Sequence, residues 1–167
     1  DGQEVCCGFF EPKETVKGKR NQVHIEKIIG CESAITSTVV DDILTVFCSK
    51  YDNNRHVIVG WYKNASVYRW IKEEVDISIH GERLLHEYNI IADTRNCVLL
   101  PYSIRNNHIW SVKRKRPKNG ISFGFGQSNI WYASESTDGA IAYKQKITKQ
   151  IMNYNGQNDI DRIHDRS

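Results

Sequence analysis

The segment that most constrains the fold is residues 57–70, Val-Ile-Val-Gly-Trp-Tyr-Lys-Asn-Ala-Ser-Val-Tyr-Arg-Trp. β-branched and aromatic side chains suit a pleated, half-buried surface, so residues 57–62 read as a buried strand. Lys63, Asn64 and Ala65 then read as a corner, and residues 66–71 as a returning strand. Upstream, residues 42–48 (Asp-Ile-Leu-Thr-Val-Phe-Cys) have the composition of a central strand. The turn residues Asp52, Asn53 and Asn54 separate the two runs, which predicts a hairpin of 43–48 against 57–62.

Further short runs follow the same pattern. Residues 5–10, 23–29, 88–92, 97–100, 109–113 and 129–133 are expected strands. Residues 13–21 are read as a polar basic loop, and the charged, poorly periodic 71–87 as a loop with at most one helical turn. The period changes near the end of the chain. Ile141, Ile147, Ile151 and Tyr154 share one helical face, while Lys144, Lys146 and Lys149 fall largely away from it. Ser136, Thr137 and Asp138 are candidate N-caps and Gly156 a stop. About eight short strands and one C-terminal helix predict a mixed α+β, β-rich chain, a small curved β barrel with the helix packed on it. The expected division is one domain over 1–155 and a polar tail or linker over 156–167.

The 167 residues suffice for a substantial core. A net charge of +3 is too small to imply a polyanionic partner by itself, so the placement of charge matters more. The five cysteines lack the closely spaced ligand pairs that zinc requires, and neither a metal nor a cofactor is expected. Cys48 and Cys97 lie in apolar runs and read as buried thiols of a reducing compartment. With no secretory leader and no apolar run long enough for a bilayer, a cytoplasmic location is expected. The chain starts at Asp1 without a Met, as if processed or excised from something longer.

Residues 113–118, Lys-Arg-Lys-Arg-Pro-Lys, place five positive charges in six positions. Such a run is either a solvated loop or a phosphate contact, and Trp110 just before it favours nucleic acid. Residues 120–132 follow, with Gly120, Gly124 and Gly126 able to admit a close ligand. Gln127, Ser128 and Asn129 can bond a base edge, and Trp131 and Tyr132 offer stacking faces. The competing reading is a bulged turn entering a core strand. Catalytic patterns are sparse. Asp41 and Asp42 precede a strand, Glu73, Glu74 and Asp76 form an acidic patch, and there is no nucleophile elbow or paired histidine motif.

Residues 42–47 with 57–60 resemble the strand pair of the PUA-like superfamily, which includes the EVE, YTH, ASCH and SRA domains. Residues 59–65, 96–101 and 126–132 are similar to segments of bacterial proteins in which such a domain sits beside a restriction-type nuclease, often of the HNH class. The resemblance spans about residues 5–155. It implies a barrel with an aromatic-lined pocket for a modified or flipped base, without the cutting domain. The expected function is therefore a non-catalytic module that recognises a modified base in duplex DNA, the specificity part of a restriction or defence system. A nuclease domain or subunit would lie outside this chain.

Stacking is assigned to Trp61, Tyr62 and Trp131, with Tyr68, Trp70, Trp110 and Tyr132 in reserve. Asn64, Gln127, Ser128 and Asn129 are the candidates for edge recognition. Lys63, Arg69, Lys113, Arg114, Lys115, Arg116 and Lys118 are the candidates for phosphate. Strand alternation sends Trp61 and Tyr62 to opposite faces, so only one can line a given pocket, and Trp61 is preferred. Two other readings stay open: a small metal-dependent nuclease or base-processing enzyme built on Asp41, Asp42 or the 73–76 patch, and a protein-interaction module with an aromatic patch.

Overall fold

A computed structural model describes residues 4–12, 22–52, 55–77, 83–126 and 128–164. Among the described residues, five strands make one antiparallel sheet: β1 (Val5–Gly8), β2 (Val39–Lys50), β3 (His56–Ile77), β4 (Arg83–Asp93) and β5 (Cys97–Leu99). The order is β1-β4-β3-β2, with β5 also paired to β3. β3 is the spine of the sheet, bonded to β2, β5 and β4 at successive stretches. The expected hairpin forms, with Thr45 opposite Tyr62, Val46 opposite Trp61 and Cys48 opposite Ile58.

The sheet curls into a half-barrel, giving a mixed α+β, strand-rich architecture with a C-terminal helix. Local causes of the curl are visible. The β2–β3 register slips around Ile43 and again after Phe47. Asp42 (φ 60°) and Asn64 (φ 50°) adopt left-handed conformations there, which short Asp and Asn side chains tolerate best after glycine. Extra residues in one strand bend it and sharpen its twist. Gly60 lies against β5 so closely that a Cβ would collide with the carbonyl oxygen of Val98.

Several expectations are corrected. Lys63, Asn64 and Ala65 do not reverse the chain, because a bulge absorbs them and β3 runs through. Residues 71–87 are mostly not a loop: β3 and β4 continue as a ribbon pairing Lys72 with Tyr88, Glu73 with Glu87 and Glu74 with His86. Lys72, Glu73 and Glu74 are exposed there, so the alternation that betrays a half-buried strand is missing. Residues 23–29 hold a 3-10 turn, Ile25–Lys27, and residues 109–113 begin in another, His108–Trp110. Residues 129–133 pair with no strand among the described residues. The loop expected at 13–21 lies outside the described residues.

Two short helices, α1 (Tyr102–Arg105) and α3 (Asp159–His164), flank the main helix α2 (Asp138–Met152). Thr137 caps α2, its hydroxyl accepting from the Ala140 N–H at 3.3 Å. Ile151 is buried and Ile147 and Tyr154 are half-buried, but Ile141 stays exposed. Part of the stretch read as a polar tail packs against the sheet. Ile160 is buried, and the Asn158 amide brackets β5, accepting from the Leu99 N–H at 2.9 Å and donating to the Cys97 carbonyl at 3.0 Å.

The core has two parts. Val23, Ile25, Ala65, Val67, Ile90, Ala92, Cys97 and Ile160 form one, and Ile58, Trp61, Leu100, Trp110 and Ile151 form the other. Trp61 and Tyr62, adjacent in β3, go to different parts, as strand alternation requires.

Candidate nucleic-acid interface

A cavity of about 530 Å³ follows β2. Six consecutive residues of that strand, Ile43 to Cys48, border it. Alternate side chains point to opposite faces of a sheet. An unbroken run on one cavity therefore means that the cavity lies along the outer edge of β2, the edge away from β3. The opposite wall is Asn129, Ile130, Trp131, Tyr132 and Ala133, backed by Tyr143, Lys144, Ile147 and Thr148 of α2. Phe9, Phe10 and Phe125 complete an aromatic lining.

Specific bonds hold the irregular wall in place. Lys144 Nζ donates to the carbonyls of Ala133 and Glu135, each at 2.8 Å, which pins residues 133–135 to α2. It was expected to point away from the packed face, but these carbonyls draw it inward. The Trp131 indole N–H donates to Glu135 at 2.7 Å, and its ring lies 6.0 Å from both Phe125 and Tyr143. The Tyr132 hydroxyl accepts from the His24 N–H at 2.9 Å. Burial raises the Tyr132 and Tyr143 phenols above their usual range, so both rings stay neutral.

The basic segment is attached to this cavity. Val112 lines the wall, and the chain leaves it directly as Lys113. The Lys115 N–H donates to the Phe125 carbonyl at 2.8 Å, and the Lys113 N–H donates to the Tyr143 hydroxyl at 3.1 Å. Gly124 (φ 97°) makes the approach possible, since a Cβ there would strike the Lys113 carbonyl. The bare face of this glycine is thus occupied by the chain itself rather than left for a ligand. Lys113, Lys115, Arg116 and Lys118 are exposed. Arg114 is tied down, donating to the Gly126 carbonyl at 2.8 Å and to His56 Nε2 at 3.1 Å. A guanidinium can only donate, so His56 accepts and is neutral. Burial first, then Arg114 and Lys50, lower the His56 pKa.

The expected site residues fall into four groups. Asn129, Trp131 and Tyr132 line the cavity, and exposed Ser128 adjoins it, its hydroxyl accepting from the Ile130 N–H at 3.2 Å. Gln127 lies outside the described residues. Trp61 and Trp110 do not reach the cavity; they stack on each other at 5.6 Å inside the second core, with Tyr154 edge-on to both. Tyr62 is also packed away, donating to the Cys7 carbonyl at 3.1 Å and lying edge-on to Phe47. Tyr68 contacts Tyr88 and Lys72, Trp70 is exposed, and exposed Asn64 sits at the β3 bulge. None of these three lines the cavity.

Arg69 is a structural residue rather than a phosphate ligand. It is buried, donating to Glu26 Oε2 at 2.7 Å and to the carbonyls of Ser37, Ala34 and Ile35 at 2.7–3.0 Å. Lys63 is half-exposed near the bulge. The carboxylates of the enzymatic alternative are dispersed: Asp41 accepts from Ser66 at 2.5 Å, and Glu73 and Glu74 lie exposed on the ribbon. Among the described residues no group of three His, Cys, Asp or Glu is placed to hold a metal. Sequence reasoning missed Phe9, Phe10, Phe47 and Tyr143 as lining residues, because strand and helix composition does not show which aromatics border a hollow. Phe125, flanked by Gly124 and Gly126, did offer one.

No family model, curated protein or solved structure matches this chain. Among the described residues no helix is long and apolar enough to cross a membrane.

Proposed function

We propose that the chain is a nucleic-acid-binding module that admits a single base, taken out of the duplex stack, into the aromatic cavity along β2. A PUA-like reader of modified DNA, the specificity part of a bacterial restriction or defence system, is the reading that the sequence resemblance supports. One observation carries it above the others: the wall residue Phe125 is hydrogen-bonded to the basic segment, so ring-binding surface and cationic surface adjoin. The volume lies within the ~300–1,000 Å³ typical of small-ligand pockets. Removing a base from the stack costs a few kcal/mol. Aromatic stacking returns about 1–3 kcal/mol per base. Phosphate contacts by Lys113, Lys115, Arg116 and Lys118 would add affinity without sequence information.

The test is a mobility-shift series on blunt duplexes that differ only in a cytosine or adenine modification. Wild type should prefer one modified duplex, and Trp131→Ala and Asn129→Ala should each lose that preference. Trp61→Ala should instead lower stability by about 3–5 kcal/mol, the cost of truncating a buried aromatic. Equal binding of every duplex by wild type would remove the base-reading function.

A further inference from the structure

A second surface lies beside the basic segment and shares no lining residue with the cavity. Between Thr94 and Ser134 the chain has no Asp or Glu but seven Lys and Arg. The structure folds part of this stretch against the β2–β3 turn. Tyr102, 70% exposed, stacks on Tyr51 with ring centroids 6.0 Å apart and planes 25° from parallel. The Arg55 guanidinium lies 4.5 Å from the Tyr51 centroid and donates to the Asn106 carbonyl at 2.9 Å. An open hollow lined by Arg55, Ser103, Ile104, Asn106, Asn107 and His108 adjoins the stack. Asp52 is a carboxylate at this corner, and it accepts from the Arg55 N–H at 2.8 Å. One main-chain and one side-chain bond join the corner to the basic segment: the Val112 N–H donates to the His56 carbonyl at 2.9 Å, and the Arg114 guanidinium donates to the His56 ring at 3.1 Å.

We propose that Tyr102, supported by Tyr51 and Arg55, is a second nucleic-acid contact that stacks an unpaired base while the basic segment holds the adjoining backbone. Exposed rings cost little to hold in place when a second ring and a guanidinium already order them. A base can be sequence-neutral on such a platform, because every base has a π face. The cationic, carboxylate-free stretch suits a polyanion, and the exposed stacked ring beside it suits one that carries planar bases. The inference rests on the nucleic-acid reading above, but not on the cavity.

The experiment uses fluorescein-labelled duplexes, blunt or carrying a short 3′ thymidine or uridine overhang, titrated into wild type, Tyr102→Ala and Tyr102→Phe. Wild type should bind an overhang duplex about tenfold more tightly than the blunt one, as a single base–aromatic stack allows. Tyr102→Ala should erase that gain and leave blunt-duplex affinity and modification preference unchanged. Tyr102→Phe should keep it. A wild type indifferent to overhangs, or a Tyr102→Ala protein that retains the gain, overturns the inference even where modification preference is present. A Tyr102-dependent gain without any modification preference supports the platform and overturns the cavity reading alone. A larger gain with uridine than with thymidine would assign the platform to RNA.

Discussion

Arg69 sets how tightly the segment before β2 is held. Its guanidinium is buried in β3 and gathers Glu26 with the carbonyls of Ala34, Ile35 and Ser37. Glu26 is held down to about 2, mostly by its own backbone N–H and then by Arg69 and His24. The folded-state pKa is below the unfolded one, so this contribution is complete above pH ~4.5 and disappears as pH falls toward 2. Thermal melts from pH 5 to 2 should fall steeply for wild type and less steeply for Glu26→Gln. Parallel curves would show that other carboxylates govern acid unfolding. Arg69→Ala should lower the melting temperature at neutral pH, since the carbonyls of Ser37, Ala34 and Ile35 would each lose a charged donor.

At the scale of elements, the basic segment owes its position to one glycine. Gly124 packs flat on the Lys113 carbonyl and takes a positive φ, so Gly124→Ala meets both a steric and a conformational penalty. The expected outcome is a segment detached from Phe125. Duplex binding should weaken at least several-fold while the far-ultraviolet circular dichroism of the sheet is retained. Unchanged binding would mean that the contact between Lys115 and Phe125 is not needed to present the cations. The curl of the sheet has an equally local origin, in the bulges around Asp42 and Asn64. That curl gives β2 an edge open to the cavity instead of a flat partner strand.

For the whole molecule, charge distribution matters more than charge total. The net charge is +3, yet four exposed cations gather within residues 113–118. Each neutralised phosphate adds about 0.9 to the magnitude of the slope of log affinity against log salt. Replacing Lys115, Arg116 and Lys118 by Ala should reduce that magnitude by up to about 2.7 and weaken all duplexes alike. A slope unaltered by the triple change would place the phosphate track elsewhere.

The sequence by itself determined the strand-rich class, the hairpin of β2 with β3, strands near 5–8, 88–92 and 97–99, and the helix with its Thr137 cap. These features rest on composition and period within a dozen residues, where local side-chain physics decides. It also singled out Asn129, Trp131 and Tyr132, because polar groups and rings crowd a Gly-rich stretch. Only tertiary structure decided which aromatics face a hollow and which face each other. Trp61 and Trp131 look equivalent as residue types, yet one is sealed against Trp110 and Tyr154 and the other borders the cavity. The same holds for Arg69, whose charge read as a phosphate contact until Glu26 and three carbonyls, distant in the chain, surrounded it. Burial depends on contacts between remote segments, and no local pattern encodes which partner arrives.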